Sequence, residues 1–443
     1  MTKLNQEHVS KFLNILLMLA ILIAILGFIA DLKNTLVYGG IDLRNRVIGA
    51  RLLIDGIDPY YFHWHPGLSE LLADPNHDPN SIVSKVTVTP TALTLYSVIA
   101  RLPYFYQRLL WLFAQWVLLL ISIVIFAKTS QKKFQEKLII VIGLLFFSGS
   151  YFWRLHVERG QIYILYAFLL TLAYWLARQS SKYSQMLGGV FIGFTVMLRP
   201  YTIFLSIPFL IYKKWNLVVG GMIGIVSGFL VSFIFADLST WQSYFSAMKI
   251  HGRINSGLLK LPDTAVREYP QEIEGMKNLS SALTLPNYDI GFAINLKFLP
   301  PDLNLLINTI IMLGGISIIM MTFLNIKKHH HDQSISTEML FLIGTLIVLF
   351  SEYFTPSSRN SYVDIQWLVP LSLVIIESKN FGFLYGRNGV FLLISLFFGV
   401  GFNWSFPENM LISSCAMLIY IILMTFSLAS KDNKTMDSVE LTQ

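Results

Sequence analysis

The sequence predicts an all-α, polytopic membrane protein, and three observations support this fold class. Hydrophobic residues make up 54% of the 443 residues and charged residues only 13%, whereas a soluble fold carries about 25% charged residues. The mean hydropathy is +0.58. The apolar residues fall in blocks near the length of about 20 residues that a spanning helix requires, and short basic loops separate these blocks.

The apolar blocks predict a transmembrane helical bundle of about 10–13 membrane helices, some of them short or re-entrant. Thr91–Leu102 ends at Arg101-Leu-Pro103, and Leu187–Tyr212 is interrupted by Arg199-Pro200, so both are predicted to be short, tilted or re-entrant elements. The full-length candidates are Phe12–Ala30, Tyr106–Ala127, Leu138–Trp153, Ile162–Leu176, Trp215–Ala236, Leu305–Ile326, Met339–Phe354, Tyr362–Ile376, Val390–Trp404 and Met410–Leu428.

The chain is predicted to form a single integral membrane domain over residues 1–443. Lys and Arg residues in the short loops place both termini, including the tail 430–443, in the cytoplasm. Segments 31–90 and 237–301 are then two long loops on the outer face. The net charge of +7 is attributed to loops that contact membrane lipids, and no nucleic acid partner is expected. The single cysteine excludes a disulfide framework.

The first outer loop carries a basic segment with apolar residues at roughly helical spacing. This pattern predicts an amphipathic helix that lies in the membrane plane, with Arg44, Arg46 and Arg51 on it and Asp42 at its start. One interpretation makes Asp42 an N-cap and lets the arginines reach lipid headgroups. In the other, the arginines keep the Asp42 carboxylate ionised, so that it deprotonates a hydroxyl while they hold a phosphate.

Short motifs follow one another along the chain in a recognisable order. They are Gly40-Ile-Asp42, Gly49-Ala-Arg51, Gly56-Ile-Asp58-Pro-Tyr60, Thr89-Pro90 with Leu102-Pro103, Glu158-Arg-Gly-Gln161, Leu198-Arg199-Pro200, and Thr355-Pro-Ser-Ser-Arg-Asn-Ser-Tyr362 with Pro370. In this order they resemble glycosyltransferase family 87, whose members are GT-C-fold membrane enzymes related to polyprenol-phosphate-mannose-dependent α-mannosyltransferases. The resemblance runs from about residue 10 to residue 375.

The resemblance implies a GT-C-like hexosyltransferase that moves a sugar, mannose in the related enzymes, from a polyprenyl-phosphate donor to a lipid or glycan acceptor with inversion. By position, Asp42 corresponds to the catalytic aspartate. No metal or other cofactor is expected, and one carboxylate suffices because a phosphate leaves as a stable anion. Donor-phosphate or substrate binding is expected of Arg199, Arg159, Arg44, Arg46, Arg359, Gln161, Glu158 and Tyr60.

The sequence departs from the family pattern at three positions. Tyr163 stands where the family has Asn, and Arg199 stands where it has Lys. A late histidine is missing, and Tyr362, Asp364 and Gln366 lie near its position.

Several alternatives remain open at this stage. Arg199 could form a salt bridge that only holds the bundle together, and Glu158 with Arg159 could be a plain interfacial pair. The whole chain could be a transporter or flippase for a lipid-linked saccharide, or a non-catalytic relative that only binds lipid. The loop composition is compatible with a multi-pass protein of a bacterial cytoplasmic membrane. A stripe of glycines, Gly220-x-x-x-Gly224-x-x-x-Gly228, predicts close helix packing.

Overall fold

A computed structural model of the protein describes residues 3–37, 40–74, 81–259, 299–329, 335–355, 361–378 and 390. Within these residues the fold is all-α, as predicted, with fourteen α-helices and no β-strand. Arg359, the predicted spans Val390–Trp404 and Met410–Leu428 (apart from residue 390), and the tail 430–443 lie outside the described residues.

The helices follow the predicted apolar blocks closely. They are α1 (Lys3–Val37), α2 (Ile41–Ile54), α3 (Pro90–Ala100), α4 (Tyr104–Thr129), α5 (Lys133–Val141), α6 (Tyr151–Arg159), α7 (Tyr163–Ala177), α8 (Lys182–Leu198), α9 (Ser206–Ile211), α10 (Trp215–Ser232), α11 (Leu238–Asn255), α12 (Pro301–His329), α13 (Thr337–Phe354) and α14 (Leu368–Glu377). Three 3-10 segments, Glu70–Leu72, Pro200–Leu205 and Ser361–Trp367, and one π-helical turn, Ile142–Ser148, lie between them.

Four of the described helices are long and apolar enough to cross a membrane, and a bent pair makes a possible fifth. The four segments are Ser10–Leu36, Tyr104–Thr129, Trp215–Ser232 and Pro301–Met321. Their large apolar side chains are widely exposed, as expected of surfaces that face lipid. Pro90–Ala100 is short, and the helix that ends at Leu198 is followed by a 3-10 segment, so both predicted irregular elements are confirmed.

Two predicted spans are not single straight helices. The span Leu138–Trp153 contains the π-helical turn and then breaks, so that Lys133–Ser148 and Tyr151–Arg159 meet at 60°. Ser150 starts the second helix by accepting a hydrogen bond from the backbone nitrogen of Trp153. The predicted span Tyr362–Ile376 begins as the 3-10 segment Ser361–Trp367 and only then becomes α14.

The predicted loop 237–301 starts with a helix that the sequence analysis missed. Asp237 caps α11 through a reciprocal pair of hydrogen bonds with Thr240. Trp241, Tyr244 and Ala247 form the buried face of this helix. The high polarity of the segment hid this buried face, which repeats at helical spacing.

The helix predicted in the first outer loop is present as α2, but two of its three arginines are buried inside the protein. Arg44 is fully buried and Arg51 is 9% exposed. Arg51 donates hydrogen bonds to the carbonyl oxygens of Ala100 and Leu71 at 2.8 and 2.5 Å. The polar side of α2 is therefore covered by the following loop and by α3, because these arginines satisfy backbone carbonyls there.

A buried carboxylate ties the first helix to the centre of the bundle. Asp31 of α1 accepts hydrogen bonds from the indole nitrogens of Trp116 on α4 and Trp153 on α6, both at 3.0 Å. The two indole rings meet edge to face at 5.4 Å. This contact fixes the position of α6, whose last residues form part of the candidate site.

Helices α8 and α10 approach each other backbone to backbone, which confirms the packing role predicted for the glycine stripe. A Cβ added at Gly224 would lie 2.1 Å from the carbonyl oxygen of Val190, and one added at Gly193 would lie 1.9 Å from that of Gly221. Real side chains do not tolerate such distances, so only glycine permits this contact.

We expect Gly193→Ala to destabilise the protein by about 1–3 kcal/mol or more, because the helices must separate to admit the methyl group. Gly221→Ala is the matched control, since its added Cβ would meet no atom nearer than 3.8 Å. That control should be neutral or slightly stabilising, because alanine favours a helix over glycine. Thermal unfolding in detergent measures both variants, and equal midpoints would contradict the packing argument.

Candidate active site

Asp42 lies in the first turn of α2, and its position depends on the glycine before the helix. Gly40 is the N-cap residue with φ of +61°, a conformation that favours glycine, and no side chain in the described part of the chain caps the helix. The Tyr104 hydroxyl donates to the Gly40 carbonyl oxygen at 2.8 Å. The interpretation of Asp42 as an N-cap is therefore wrong, and its carboxylate points to other partners.

The end of α6 brings two of these partners to Asp42. Gly160 ends α6 with φ of +68°, and a Cβ added there would lie 2.5 Å from the Cβ of Leu43 on α2. The glycine thus lets the end of α6 lie directly against the start of α2. Arg159 and Gln161 flank this glycine, so both side chains reach the Asp42 carboxylate from 117 and 119 residues away in sequence.

The carboxylate of Asp42 is held asymmetrically. Its Oδ2 accepts hydrogen bonds from Arg159 Nε at 2.5 Å and from Gln161 Nε2 at 2.6 Å. Within the described residues, its Oδ1 receives only a long contact from Arg159 Nη2 at 3.4 Å. The side chain of Asp42 is 17% exposed and that of Arg159 is 25% exposed, so the pair is screened but still accessible.

Charged neighbours decide the ionisation of Asp42. Burial is the largest single influence and raises the pKa of its carboxyl, whereas the Arg159 and Arg46 guanidiniums lower it. Hydrogen bonds from Arg159 and Gln161 add to their effect, so the pKa of Asp42 lies below its ordinary value. The carboxylate is therefore negatively charged at neutral pH.

Arg46 completes the cluster one turn further along α2. It donates from Nη1 to the Gly160 carbonyl oxygen at 2.9 Å and from Nη2 to Gln161 Oε1 at 2.5 Å. Gln161 is thereby fixed with its oxygen toward Arg46 and its nitrogen toward Asp42. Because two guanidiniums surround one carboxylate, this cluster carries a net positive charge.

Two neighbouring tyrosine rings connect Arg159 of this cluster to a further arginine, Arg199. The Arg159 guanidinium lies over the Tyr362 ring at 5.7 Å, and that ring lies 5.7 Å from the Tyr163 ring. Arg199 covers Tyr163 at 4.5 Å. Tyr163 and Tyr362, which mark two departures from the family pattern, are thus neighbours beside Asp42.

The charge of Arg199 is already matched inside the protein. Its Nη2 lies 2.9 Å from Glu352 Oε1, and the two side chains are only 8% and 5% exposed. Its Nη1 donates to Gln366, and the Tyr201 ring lies 4.4 Å from the guanidinium. The phosphate-binding role of Arg199 stays a prediction, and this pairing favours the alternative of a salt bridge that holds the bundle together.

The sequence analysis missed Glu352, although a signal for it exists. An acidic residue inside an apolar helix is costly and usually has a partner or a function. Glu352 is such a residue, because it lies near the end of the apolar helix α13. Its partner could not be read from the sequence, because the pairing depends on how α13 packs against the 3-10 segment Pro200–Leu205.

Three other predicted site residues lie away from the Asp42 carboxylate. Arg44 contacts the Tyr104 ring at 4.8 Å, and the hydroxyl of Tyr60 donates to the Val88 carbonyl oxygen at 2.9 Å. Glu158 lines a small groove between α1, α4 and the end of α6. In the described part of the chain, no group of three or more His, Cys, Asp or Glu side chains could hold a metal ion.

The fold and this cluster define a polytopic membrane protein with an ionised carboxylate held between guanidiniums, an arrangement suited to acid–base chemistry on an anionic substrate. The sequence matches glycosyltransferase family 87 over residues 87–351, more than half of the chain. The chain belongs to this family and is a membrane glycosyltransferase. The match contains Arg159, Gln161 and Arg199, whereas Asp42 lies before it and Glu352 lies one residue after its end. No curated protein and no solved structure matches the sequence.

Proposed function

We propose that the protein transfers a hexose, mannose by its family resemblance, from a polyprenyl-phosphate carrier to a lipid or glycan acceptor with inversion. The reaction takes place at the outer face of a bacterial cytoplasmic membrane, with both termini of the chain in the cytoplasm. The observation that carries the proposal is the ionised Asp42 carboxylate, anchored by Arg159 and Gln161 in a net positive cluster.

The asymmetry of the carboxylate supports Oδ1 as the atom that takes the proton. Oδ2 already accepts two short hydrogen bonds, whereas Oδ1 receives one contact of 3.4 Å. Oδ1 therefore has lone-pair capacity for the acceptor hydroxyl. The acceptor oxygen bonds to the anomeric carbon, its proton passes to Oδ1, and the carbon–phosphate oxygen bond breaks with its electrons on the phosphate.

The positive charge of the cluster serves the leaving group. Arg46 and Arg159 are the cations nearest the proposed base, and in this proposal they stabilise the negative charge on the departing phosphate, since fixed charges stabilise a transition state strongly in a screened site. A phosphate beside them also offsets their effect on Asp42. The carboxylate then becomes a stronger base when the donor is present, since fewer uncompensated cations hold its pKa down.

A transfer assay with the purified protein in nanodiscs tests the proposal. A panel of radiolabelled polyprenyl-phosphate hexoses is supplied with membrane lipid extract as acceptor, and nucleotide sugars serve as control donors. We expect a glycosylated product from the lipid-linked donors only. NMR of this product should show that the anomeric configuration is inverted relative to the donor. Transfer from nucleotide sugars alone would reject the donor class, and a retained configuration would reject the single-displacement mechanism.

A further inference from the structure

Tyr96 on α3 carries a buried hydroxyl that makes no hydrogen bond of normal geometry within the described residues, and it lies beside the Asp42 cluster. The side chain is 2% exposed, and its ring packs against Trp111 at 5.0 Å. Among the described residues, its Oη has no hydrogen-bond partner. Buried polar groups are nearly always hydrogen-bonded, because leaving one unpaired is destabilising, so this hydroxyl requires an explanation.

The neighbour of this hydroxyl is Arg46. The guanidinium is close enough to interact with the Tyr96 oxygen, although no hydrogen bond of normal geometry joins them. Arg46 makes two hydrogen bonds within the described chain, to Gly160 and Gln161, out of the five N–H groups that an arginine carries. A hydroxyl donor and a guanidinium with spare donors thus lie side by side.

The other arginines near Asp42 are more fully engaged. Arg199 is paired with Glu352 at 2.9 Å, and Arg159 holds the carboxylate through two nitrogens. An anion that enters the site therefore finds its unmatched positive charge at Arg46. A phosphate oxygen accepts hydrogen bonds from both donor types, and those to a charged acceptor are the stronger ones.

We propose that Tyr96 and Arg46 form the subsite for a phosphate oxygen of the lipid-linked donor. The inference rests on the proposed function and assigns its phosphate to a pair of residues on α2 and α3. Tyr96 contacts the substrate and needs no partner inside the protein, because the donor supplies one. This accounts for a hydroxyl that is buried and unpaired when no donor is bound.

Tyr96→Phe tests the subsite, because it removes only the hydroxyl and retains the ring that packs on Trp111. Binding to the protein in nanodiscs is measured for three ligands: undecaprenyl phosphate, undecaprenol, which lacks the phosphate, and inorganic phosphate. We expect Tyr96→Phe to weaken undecaprenyl phosphate binding about tenfold, the scale of one hydrogen bond to a charged group. Undecaprenol binding should not change. Inorganic phosphate should compete with undecaprenyl phosphate, and it should compete less well in Tyr96→Phe. This result would show that phosphate without the lipid enters the subsite.

Thermal unfolding without ligand is a second measurement, and it distinguishes a binding role of the Tyr96 hydroxyl from a structural role. The midpoint of Tyr96→Phe should equal or exceed that of the wild type, since an unpaired buried hydroxyl is lost. Tyr174→Phe is the matched control, because its hydroxyl donates to Glu338 at 3.1 Å. That control should lose stability and keep its affinity for undecaprenyl phosphate.

The outcomes distinguish a failure of the proposed subsite from a failure of the proposed function. Unchanged undecaprenyl phosphate affinity in Tyr96→Phe, or a lower unfolding midpoint, overturns the subsite even where the wild type transfers sugar. A wild type that binds undecaprenyl phosphate and undecaprenol equally, and transfers no sugar from any lipid-linked donor, overturns the proposed function together with the subsite.

Discussion

Asp42→Asn is expected to reduce sugar transfer by a factor of about 10² to 10⁴, the range in which a positioned general base contributes. The amide has nearly the same shape as the carboxylate but cannot accept the proton of the acceptor hydroxyl. It also removes the negative charge that Arg159 and Gln161 anchor. The single-turnover rate with saturating donor measures the loss at equal amounts of folded protein.

Asp55→Asn is the matched control for this variant, since Asp55 is an exposed aspartate at the opposite end of α2. It should transfer sugar at the wild-type rate. The pH dependence of the wild type is a further readout, because the pKa of Asp42 lies below its ordinary value of about 3.9. The base therefore stays ionised as the pH falls from 7 to 5. Asp42→Asn activity above a tenth of the wild type would remove Asp42 from the proton transfer.

The helical elements were largely predictable because the membrane imposes a length on apolar segments. The break at Arg199-Pro200 was predictable as well, since proline cannot continue a helix and a buried arginine needs a partner. The bend before α6 was not. It depends on a π-helical turn and on the hydroxyls of Ser148 and Ser150, which bond locally to carbonyl oxygens. Serines in an apolar run are too common to signal a bend.

The site could be predicted as residues but not as contacts. Asp42, Arg159, Gln161 and Arg46 were all candidates, and the structure brings these four together. Their meeting depends on Gly160, whose missing side chain lets α6 touch α2. Arg44 and Tyr60 followed the same sequence pattern but face backbone carbonyls or rings instead. Periodicity gives the spacing of residues along a helix, whereas the direction of each side chain depends on what later segments place around it.

Glu352→Gln is expected to destabilise the protein by about 3–5 kcal/mol, because it leaves the buried Arg199 charge without its partner. The 2.9 Å contact and the low exposure of both side chains place this pair where solvent cannot compensate. The double variant Arg199→Gln with Glu352→Gln should recover much of the loss, since no isolated charge remains. Chemical unfolding in detergent measures both variants against the wild type.

The exposed pair Lys128–Glu136 separates the effect of burial from that of distance. Its atoms are closer, at 2.6 Å, but the side chains are 72% and 32% exposed. Glu136→Gln should therefore cost less than about 1 kcal/mol. If Glu352→Gln costs no more than this control, Arg199 is not held mainly by Glu352. If Glu352→Gln folds normally and binds undecaprenyl phosphate more tightly, Arg199 is a phosphate ligand after all, because removing its internal anion then favours the external one.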